Sequence, residues 1–284
     1  MRLLRFIPVV TLVMMCSCME DILSDLTSGP SSDPNPGSSS DPTQEPVQGE
    51  DVVPVDSVPN LSFDDWYKDG SVWMPNASDG PYVWDSANPG TAMLGVSPTT
   101  PEEEDVVKGK AARLETMSVF GMLAAGNIYV GQFCNVAGLG AELNWGYPFT
   151  SRPIALHGYY KYAPKTIDIA KDLYKDLKGT TDECQIQIIL ADWDTQFHIN
   201  SSEKVFVDIE NDPNIIAFGS LVSSNTDSDY VEFTIPLVYR NERTPKYIVI
   251  VGSASRYGDY FTGAKGSVLL LDEFSLIYDS TDLS

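Results

Sequence analysis

The chain beyond residue 60 is dominated by short apolar or alternating runs separated by turn-forming residues. Polar and apolar residues alternate over 185–188, and an uninterrupted apolar run covers 247–251. Alternation with period two predicts a half-buried strand, and a short continuous run predicts a strand buried on both faces. Comparable runs occupy 204–209, 231–237 and 267–278. Runs of this length with turn-rich spacers predict an all-β sandwich.

One stretch departs from this pattern and predicts a short inserted helix. Ile167, Ala170, Leu173, Tyr174 and Leu177 stand at helical spacing, and Gly179 follows as a stop signal. A capping-box pattern at 100–103 predicts a second helix start, which Gly109 would end within one or two turns.

The amino terminus has the features of an export signal. Arg2 and Arg5 precede an apolar run over 6–15, which is about ten residues long, whereas a membrane span needs roughly 20. Small Ser17 stands before Cys18, so residues 1–17 are predicted to be a lipoprotein signal peptide and Cys18 the lipidated residue. Cys16 is an alternative anchor, and an ordinary secretory signal cut near Cys18 is a further alternative. In either lipidated case the membrane is contacted only through the lipid.

Residues 18–60 are predicted to be a disordered, lipid-anchored linker. From Thr27 on, the stretch is rich in Ser, Pro and Asp and has almost no apolar residues before Val47, so it cannot bury enough surface to offset the entropy of ordering. Residues 61–284 remain as one β-sandwich domain. The acidic residues Glu20 and Asp21 resemble the export signal of Bacteroidetes surface lipoproteins, which implies an outer-membrane location facing the cell exterior.

The charge of the chain excludes one large class of partner. The formal net charge of −22 becomes −24 once Arg2 and Arg5 are removed with the signal. A chain this acidic is repelled by nucleic acid, so no nucleic-acid partner is expected. Cys134 and Cys184 could form a disulfide in an oxidising compartment or remain separate apolar side chains.

A series of motifs in fixed order resembles a known family. The most specific is Gly146-Tyr147-Pro148-Phe149-Thr150-Ser151-Arg152-Pro153, and the others are Phe63-Asp64-Asp65-Trp66, Trp84, Asn88, 111–116, 125–131, 158–162, 261–267 and Leu271-Asp272-Glu273. Together they cover about residues 61–279 and resemble the putative carbohydrate metabolism domain family of Bacteroidetes lipoproteins. The resemblance implies a jelly-roll β-sandwich similar to carbohydrate-binding modules and an association with glycan-utilisation systems. It implies no catalytic residue.

Sugar binding needs flat apolar faces together with planar hydrogen-bonding groups, and several residues suit that chemistry. The predicted ligand-binding residues are Trp73, Trp84, Trp145, Tyr147 and Arg152. Most of these aromatic residues stand beside Gly or Pro or in loop-like stretches, which favours exposure, although aromatic side chains also plug the ends of sandwiches. Arg152 could bind hydroxyls or satisfy loop carbonyls instead.

Carboxylates at the two ends of the domain predict a structural calcium site. Jelly-roll binding modules often hold calcium where the first and last strands meet, and Asp64, Asp65 and Asp272 stand there with Glu273. Solvated carboxylates at strand ends are the alternative. A different pair, Asp192 and Asp194, has a spacing permissive for glycoside hydrolysis.

The sequence therefore predicts a surface lipoprotein that binds polysaccharide or oligosaccharide as an accessory of a polysaccharide-utilisation system. A structural or adhesion module that binds surface proteins is the first alternative. A glycoside-active enzyme is the second, less favoured because the carboxylate pair is an unspecific signal in so acidic a chain.

Overall fold

The computed structural model describes residues 56–138 and 140–283. The predicted signal peptide, Cys18 and most of the predicted linker lie outside the described residues. Val52–Ser284 forms a compact unit of its own. Its strands are β1 (Tyr67–Asp69), β2 (Val72–Met74), β3 (Trp84–Ser86), β4 (Thr99–Glu102), β5 (Ala111–Glu115), β6 (Met117–Val119), β7 (Met122–Ala124), β8 (Asn127–Ala137), β9 (Gly140–Trp145), β10 (Tyr147–Pro148), β11 (Ala155–Ala163), β12 (Cys184–Ala191), β13 (Phe197–Asn200), β14 (Ile215–Ser223), β15 (Val231–Pro236), β16 (Val238–Tyr239), β17 (Tyr247–Ser253) and β18 (Val268–Ile277).

Two antiparallel sheets stack to form the sandwich. The larger sheet has the order β13-β9-β8-β17-β12-β14-β16, with β3 pairing to β8 and β10 to β17. The smaller sheet has the order β15-β11-β18-β5-β4. The chain crosses repeatedly between the sheets, from β11 to β12, from β14 to β15 and from β17 to β18. This alternation is the jelly-roll arrangement, so the predicted fold class is confirmed.

The core lies between the two sheets because each strand turns alternate residues inward. Ile186, Ile188 and Leu190 of β12 are fully buried in the main cluster, together with Leu269 and Leu271 of β18 in the other sheet. Their neighbours Gln185 and Gln187 therefore face the opposite side of the larger sheet.

The outer face of the larger sheet is only partly covered. Near one end a second apolar cluster forms around Ile189, Trp193 and Val249, and Phe197 and Ile209 pack onto it. Burial of Val249 on this side and of its neighbours on the other confirms that the apolar run 247–251 is a strand buried on both faces. The rest of the outer face remains open, and the polar alternation of β12 marks it.

The helix predicted over 167–177 is shorter in the structure than the sequence pattern indicates. Only Asp172–Leu177 is helical, as a 3₁₀ helix, and the short α-helix α1 lies elsewhere at Asn88–Thr91. Ile167 is buried and exchanges backbone hydrogen bonds with the 179–180 segment, and Ile169 does so with Gly263. These tertiary backbone bonds replace the local bonds that a helix would have made.

Two other sequence-based expectations are also corrected. The capping-box segment is strand β4, because Thr99–Glu102 pairs with β5 instead of starting a helix. The run over 204–209 forms no strand beyond one isolated bridge between Asn200 and Val205. Pro236, by contrast, ends β15 at the edge of the smaller sheet, as its missing N–H requires.

The remaining structural expectations concern the domain edge and the cysteines. Packing begins slightly before residue 61, since Val58 is buried and the Pro59 carbonyl accepts a bond from Trp84. Cys134 is exposed and Cys184 buried, and the two thiols are not bonded to each other. Among the described residues there is no helix with the length and apolar character needed to cross a membrane.

Candidate functional site

The open part of the larger sheet carries a row of polar side chains across three strands. Gln185 of β12 lies opposite Ser253 of β17, which lies opposite Asn127 of β8. The next row along the strands places Gln187 opposite Val251 and Val251 opposite Tyr129. Period-two alternation keeps both rows on the face turned away from the core.

Two aromatic side chains close one side of this surface. Tyr129 of β8 and Trp145 of β9 have ring centroids 6.4 Å apart at an interplanar angle of 41°. Trp145 lies opposite Gly131, whose φ of +154° and missing side chain allow close approach: a Cβ there would lie 2.3 Å from the Asn144 carbonyl oxygen. Tyr129 is buried and Trp145 half-buried, so only part of the wall is accessible.

Arg256 and Asp259 also line this surface. Arg256 is held by Glu183 at 2.9 Å. Asp259 is exposed to the groove and makes no hydrogen bond or ion pair with another described residue. Desolvation by the surrounding protein raises the pKa of its carboxyl group. We call this surface the polar groove; its walls are Asn127, Tyr129, Leu143, Trp145, Gln185, Gln187, Val251, Ser253, Arg256 and Asp259.

Three polar groups in the polar groove have no protein partner among the described residues. They are the buried indole Nε1 of Trp145, the side-chain amide of Gln187 and the carboxylate of Asp259. Most buried polar atoms in folded proteins are hydrogen-bonded, so an unpartnered indole N–H beside free amide and carboxylate groups favours a polar ligand. The enclosed volume is only about 40 Å³. This volume is far below the roughly 300–1,000 Å³ of small-molecule pockets, so a sugar ring would lie over the groove and not inside it.

Two further concavities lie near the polar groove. An apolar cavity of about 330 Å³ adjoins it and shares Asn127, Tyr129, Leu143 and Asp259 with it. An open cleft of about 340 Å³, which we call the tyrosine cleft, is lined by Tyr82, Val83, Gly131, Gln132, Gly146, Tyr147, Pro148, Gln196 and Tyr247.

The structure separates the predicted sugar-binding residues. Trp145 lies in the polar groove, but Tyr147 lies in the tyrosine cleft. Trp73 lies on the β1–β2 hairpin, outside all three concavities, with the Lys68 ammonium 4.4 Å above its ring.

The prediction that Trp84 binds ligand is wrong. Trp84 is completely buried, its ring centroid is 5.2 Å from that of Phe63, and its Nε1 donates to the Pro59 carbonyl. It therefore presents no face to solvent and belongs to the core. The sequence context of Trp84 did not reveal that β3 is a fully buried strand paired with β8.

Arg152 has the structural role that was the alternative in the sequence. Its guanidinium donates to the carbonyls of Asn241 and Arg243 and lies 4.1 Å above the ring of Tyr239. These contacts fix the 241–243 loop and use most of the donor capacity of the side chain.

The predicted calcium ligands are not brought together as a set. Asp64 accepts a bond from the Lys110 amide, Asp65 is exposed, and Asp272 accepts from the amides of Val107 and Lys108. Within 56–138 and 140–283, no three His, Cys, Asp or Glu side chains are placed to share a metal. The second oxygen of Asp272, Oδ1, is nevertheless buried and unpartnered, as is Oε1 of the adjacent Glu273.

The carboxylate pair considered for hydrolysis is engaged elsewhere. Asp192 is bound by Arg243 at 2.6 Å, and the exposed Asp194 is bound by Lys246 at 2.9 Å. Both residues follow the end of β12 instead of sharing a strand face. Neither lines one of the three concavities.

Sequence reasoning missed most of the polar groove. Asn127, Gln185, Gln187, Ser253 and Asp259 were not predicted as site residues. A signal existed in the Gln-Ile-Gln-Ile alternation, because glutamines in the middle of a central strand mark an uncovered face. The sequence did not show that Asp259, on a 3₁₀ turn at Gly258–Tyr260, would lie beside them.

Comparison with known proteins identifies the family of this chain. The family model described as "Putative carbohydrate metabolism domain" matches residues 62–277. The chain belongs to this family. The resemblance carried by the sequence motifs is confirmed, and the polar groove is a feature of this chain's carbohydrate metabolism domain. No curated protein matches the sequence.

Solved structures agree with the fold of the carbohydrate metabolism domain. A putative glycoside hydrolase from Bacteroides thetaiotaomicron is 25% identical and aligns with a TM-score of 0.63, covering 80% of this chain and 72% of that one. A second putative glycoside hydrolase, from Bacteroides vulgatus, is 22% identical with a TM-score of 0.63, covering 79% of this chain and 100% of that one.

Proposed function

We propose that this protein binds polysaccharide or oligosaccharide in the polar groove. The observation that carries the proposal is the convergence of three unpartnered polar groups, from Trp145, Gln187 and Asp259, beside an aromatic wall. A sugar presents hydroxyls that both donate and accept, and the groove offers an N–H donor, an amide and a carboxylate acceptor to match them. Its C–H faces can lie against the aromatic ring.

The shape and charge of the groove favour binding over hydrolysis. Glycoside hydrolysis requires two facing carboxyl groups, and the lining of the polar groove provides one, Asp259. The shallow volume suits a single sugar ring resting on the surface, with modest affinity. Many copies on one membrane would raise the effective affinity for a polymer.

Adhesion through a strand edge receives less support. The edge strand β15 carries exposed Glu232 and Thr234 and ends at Pro236, and the opposite sheet ends at the two-residue strand β16. Polar side chains and proline on an edge disfavour pairing with another chain.

We also propose where the protein acts. The signal at 1–17 and Cys18 support a lipoprotein of the outer membrane that faces the exterior and serves a polysaccharide-utilisation system. Incorporation of labelled palmitate that is lost in Cys18→Ala would support the anchor, and digestion by protease added to intact cells would support the outward orientation. Absence of label from the wild type would contradict the lipid anchor. Full protection from the protease would contradict the outward orientation.

Calcium, if bound, would be held by Asp272 and Glu273, which lie in the middle of β18. Their two buried unpartnered oxygens fit a hard cation that takes six to eight oxygen ligands, so water and peptide oxygens would complete the shell. The ion would supply structural cross-linking between β18 and the 107–110 loop. Asp64 and Asp65 would not be among the calcium ligands.

A glycan-array screen tests the binding proposal. Residues 52–284 would be compared with Asp259→Asn, and with Asp79→Asn as a control at an exposed aspartate outside the polar groove. We expect binding to one polysaccharide class that is weakened by the first variant alone. Equal binding by all three proteins, or no binding by any, would argue against the polar groove.

A further inference from the structure

The apolar cavity beside the polar groove is not used by the sugar contacts proposed above. Its walls come from α1 and the following turn, the β6–β7 hairpin, β8 and β9. They include Leu94, Met122, Leu123, Phe133, Val136 and Leu143. At about 330 Å³ it has the volume of a small-ligand site, and natural cores leave few voids of that size.

The rim of the cavity exposes apolar side chains to solvent. Met93 is 85% exposed, and Phe120, at the tip of the β6–β7 hairpin next to Val119 of the cavity wall, is 91% exposed. Phe120 adopts φ +50°, in the left-handed region that bulky residues rarely occupy. A strained, fully exposed phenylalanine beside an open apolar cavity is typical of a ligand clamp.

The lining decides the chemistry of the occupant. Most of the lining side chains are apolar, and the one charged side chain among the lining residues is Asp259, at the junction with the polar groove. A second sugar ring would find few hydrogen-bond partners there, whereas a flexible hydrocarbon would fill the space. Residues 27–46 of the chain's own predicted linker are a poor occupant, since they contain no aromatic residue, Leu, Ile, Val or Met.

Continuity between the two sites indicates that one ligand spans both. Asn127, Tyr129, Leu143 and Asp259 line the cavity and the groove together. We propose that the ligand is a glycan bearing an aliphatic substituent such as an acyl chain, with the sugar in the polar groove and the chain in the apolar cavity. This inference rests on the proposed function and names the class of glycan.

A chain-length series provides the test. Binding of methyl, butyl, hexyl and octyl β-glucosides to the full chain would be measured by calorimetry below the concentration at which micelles form. We expect affinity to rise about two- to fourfold per added methylene until the cavity is filled. Met122→Ser and, independently, Leu94→Ser should flatten this dependence. Leu173→Ser, at another exposed apolar residue outside the cavity, should leave it unchanged.

Each outcome bears on the inference. Affinity that is independent of chain length, or undetectable for every glucoside, would overturn it. 1-Octanol binding as tightly as octyl glucoside would also overturn it, because the site would then take hydrocarbon without sugar. Normal glycan retention on the array with a flat chain-length series would remove only this inference, whereas loss of glycan retention itself would remove the proposed function.

Discussion

Gln187→Ala separates binding from folding in the polar groove. Gln187 is half-buried on the outer face of β12, and its side chain makes no hydrogen bond with another described residue. Truncation therefore leaves no protein group unpaired, and the free energy of unfolding should change by less than about 0.5 kcal/mol. A bound sugar would lose one or two hydrogen bonds of about 1 kcal/mol each and keep an unpaired hydroxyl. We expect a total loss of about 1.5–3 kcal/mol, or about 10- to 100-fold in Kd.

The assay is calorimetric titration with the oligosaccharide identified on the array, together with thermal melting of each variant. Gln132→Ala is the matched control, because Gln132 belongs to the same sheet but lines the tyrosine cleft. Equal losses for the two variants, or a larger loss for Gln132→Ala, would refute the assignment of the site. A large drop in melting temperature for Gln187→Ala would refute the structural reasoning.

Three further predictions concern stability. Trp84→Ala should cost about 3–5 kcal/mol of unfolding free energy, far more than Trp73→Ala, in chemical denaturation; similar costs would contradict the burial of Trp84. Burial raises the pKa of Asp182 above its ordinary 3.8, so its contribution to stability is present below that value and is lost as pH rises through the folded-state pKa. Asp182→Asn should remove this pH-dependent contribution to stability. If the denaturation midpoint of the variant depends on pH as that of the wild type does, the prediction is contradicted. Chelator should lower the melting temperature of the wild type but not of Asp272→Asn if calcium is bound at Asp272; equal melting of the wild type with and without chelator would contradict calcium binding.

The strands could be predicted from sequence wherever alternating or continuous apolar residues matched the one buried face or two buried faces of a strand in the sandwich. The runs at 185–188, 231–237, 247–251 and 267–278 all became strands of the predicted kind. The failures occurred where long-range backbone pairing outweighed local preference. Ile167 begins the helically spaced set, but its backbone bonds to Thr180 and that of nearby Ile169 bonds to Gly263, so this segment cannot also form a helix.

The candidate site was less predictable because it is assembled from distant segments. Trp145 could be selected as an aromatic residue beside glycine, yet aromatic type also selected Trp84, which lies in the core. Gln187 and Asp259 are 72 positions apart in the chain, and the pairing of β12 with β17, which precedes the turn of Asp259, brings them to one groove. Residue type alone does not distinguish a glutamine that is only solvated from one that binds a ligand.

The most direct test of glycan binding in the polar groove is a nuclear magnetic resonance titration of residues 52–284 with the oligosaccharide found on the array. We expect the resonances of the Trp145 indole Nε1–H and of the Gln187 and Asn127 side-chain amides to shift together and to follow one saturation curve. Shifts confined to Tyr82, Tyr147 and Gln132 in the tyrosine cleft, or to Trp73 on its hairpin, would contradict it.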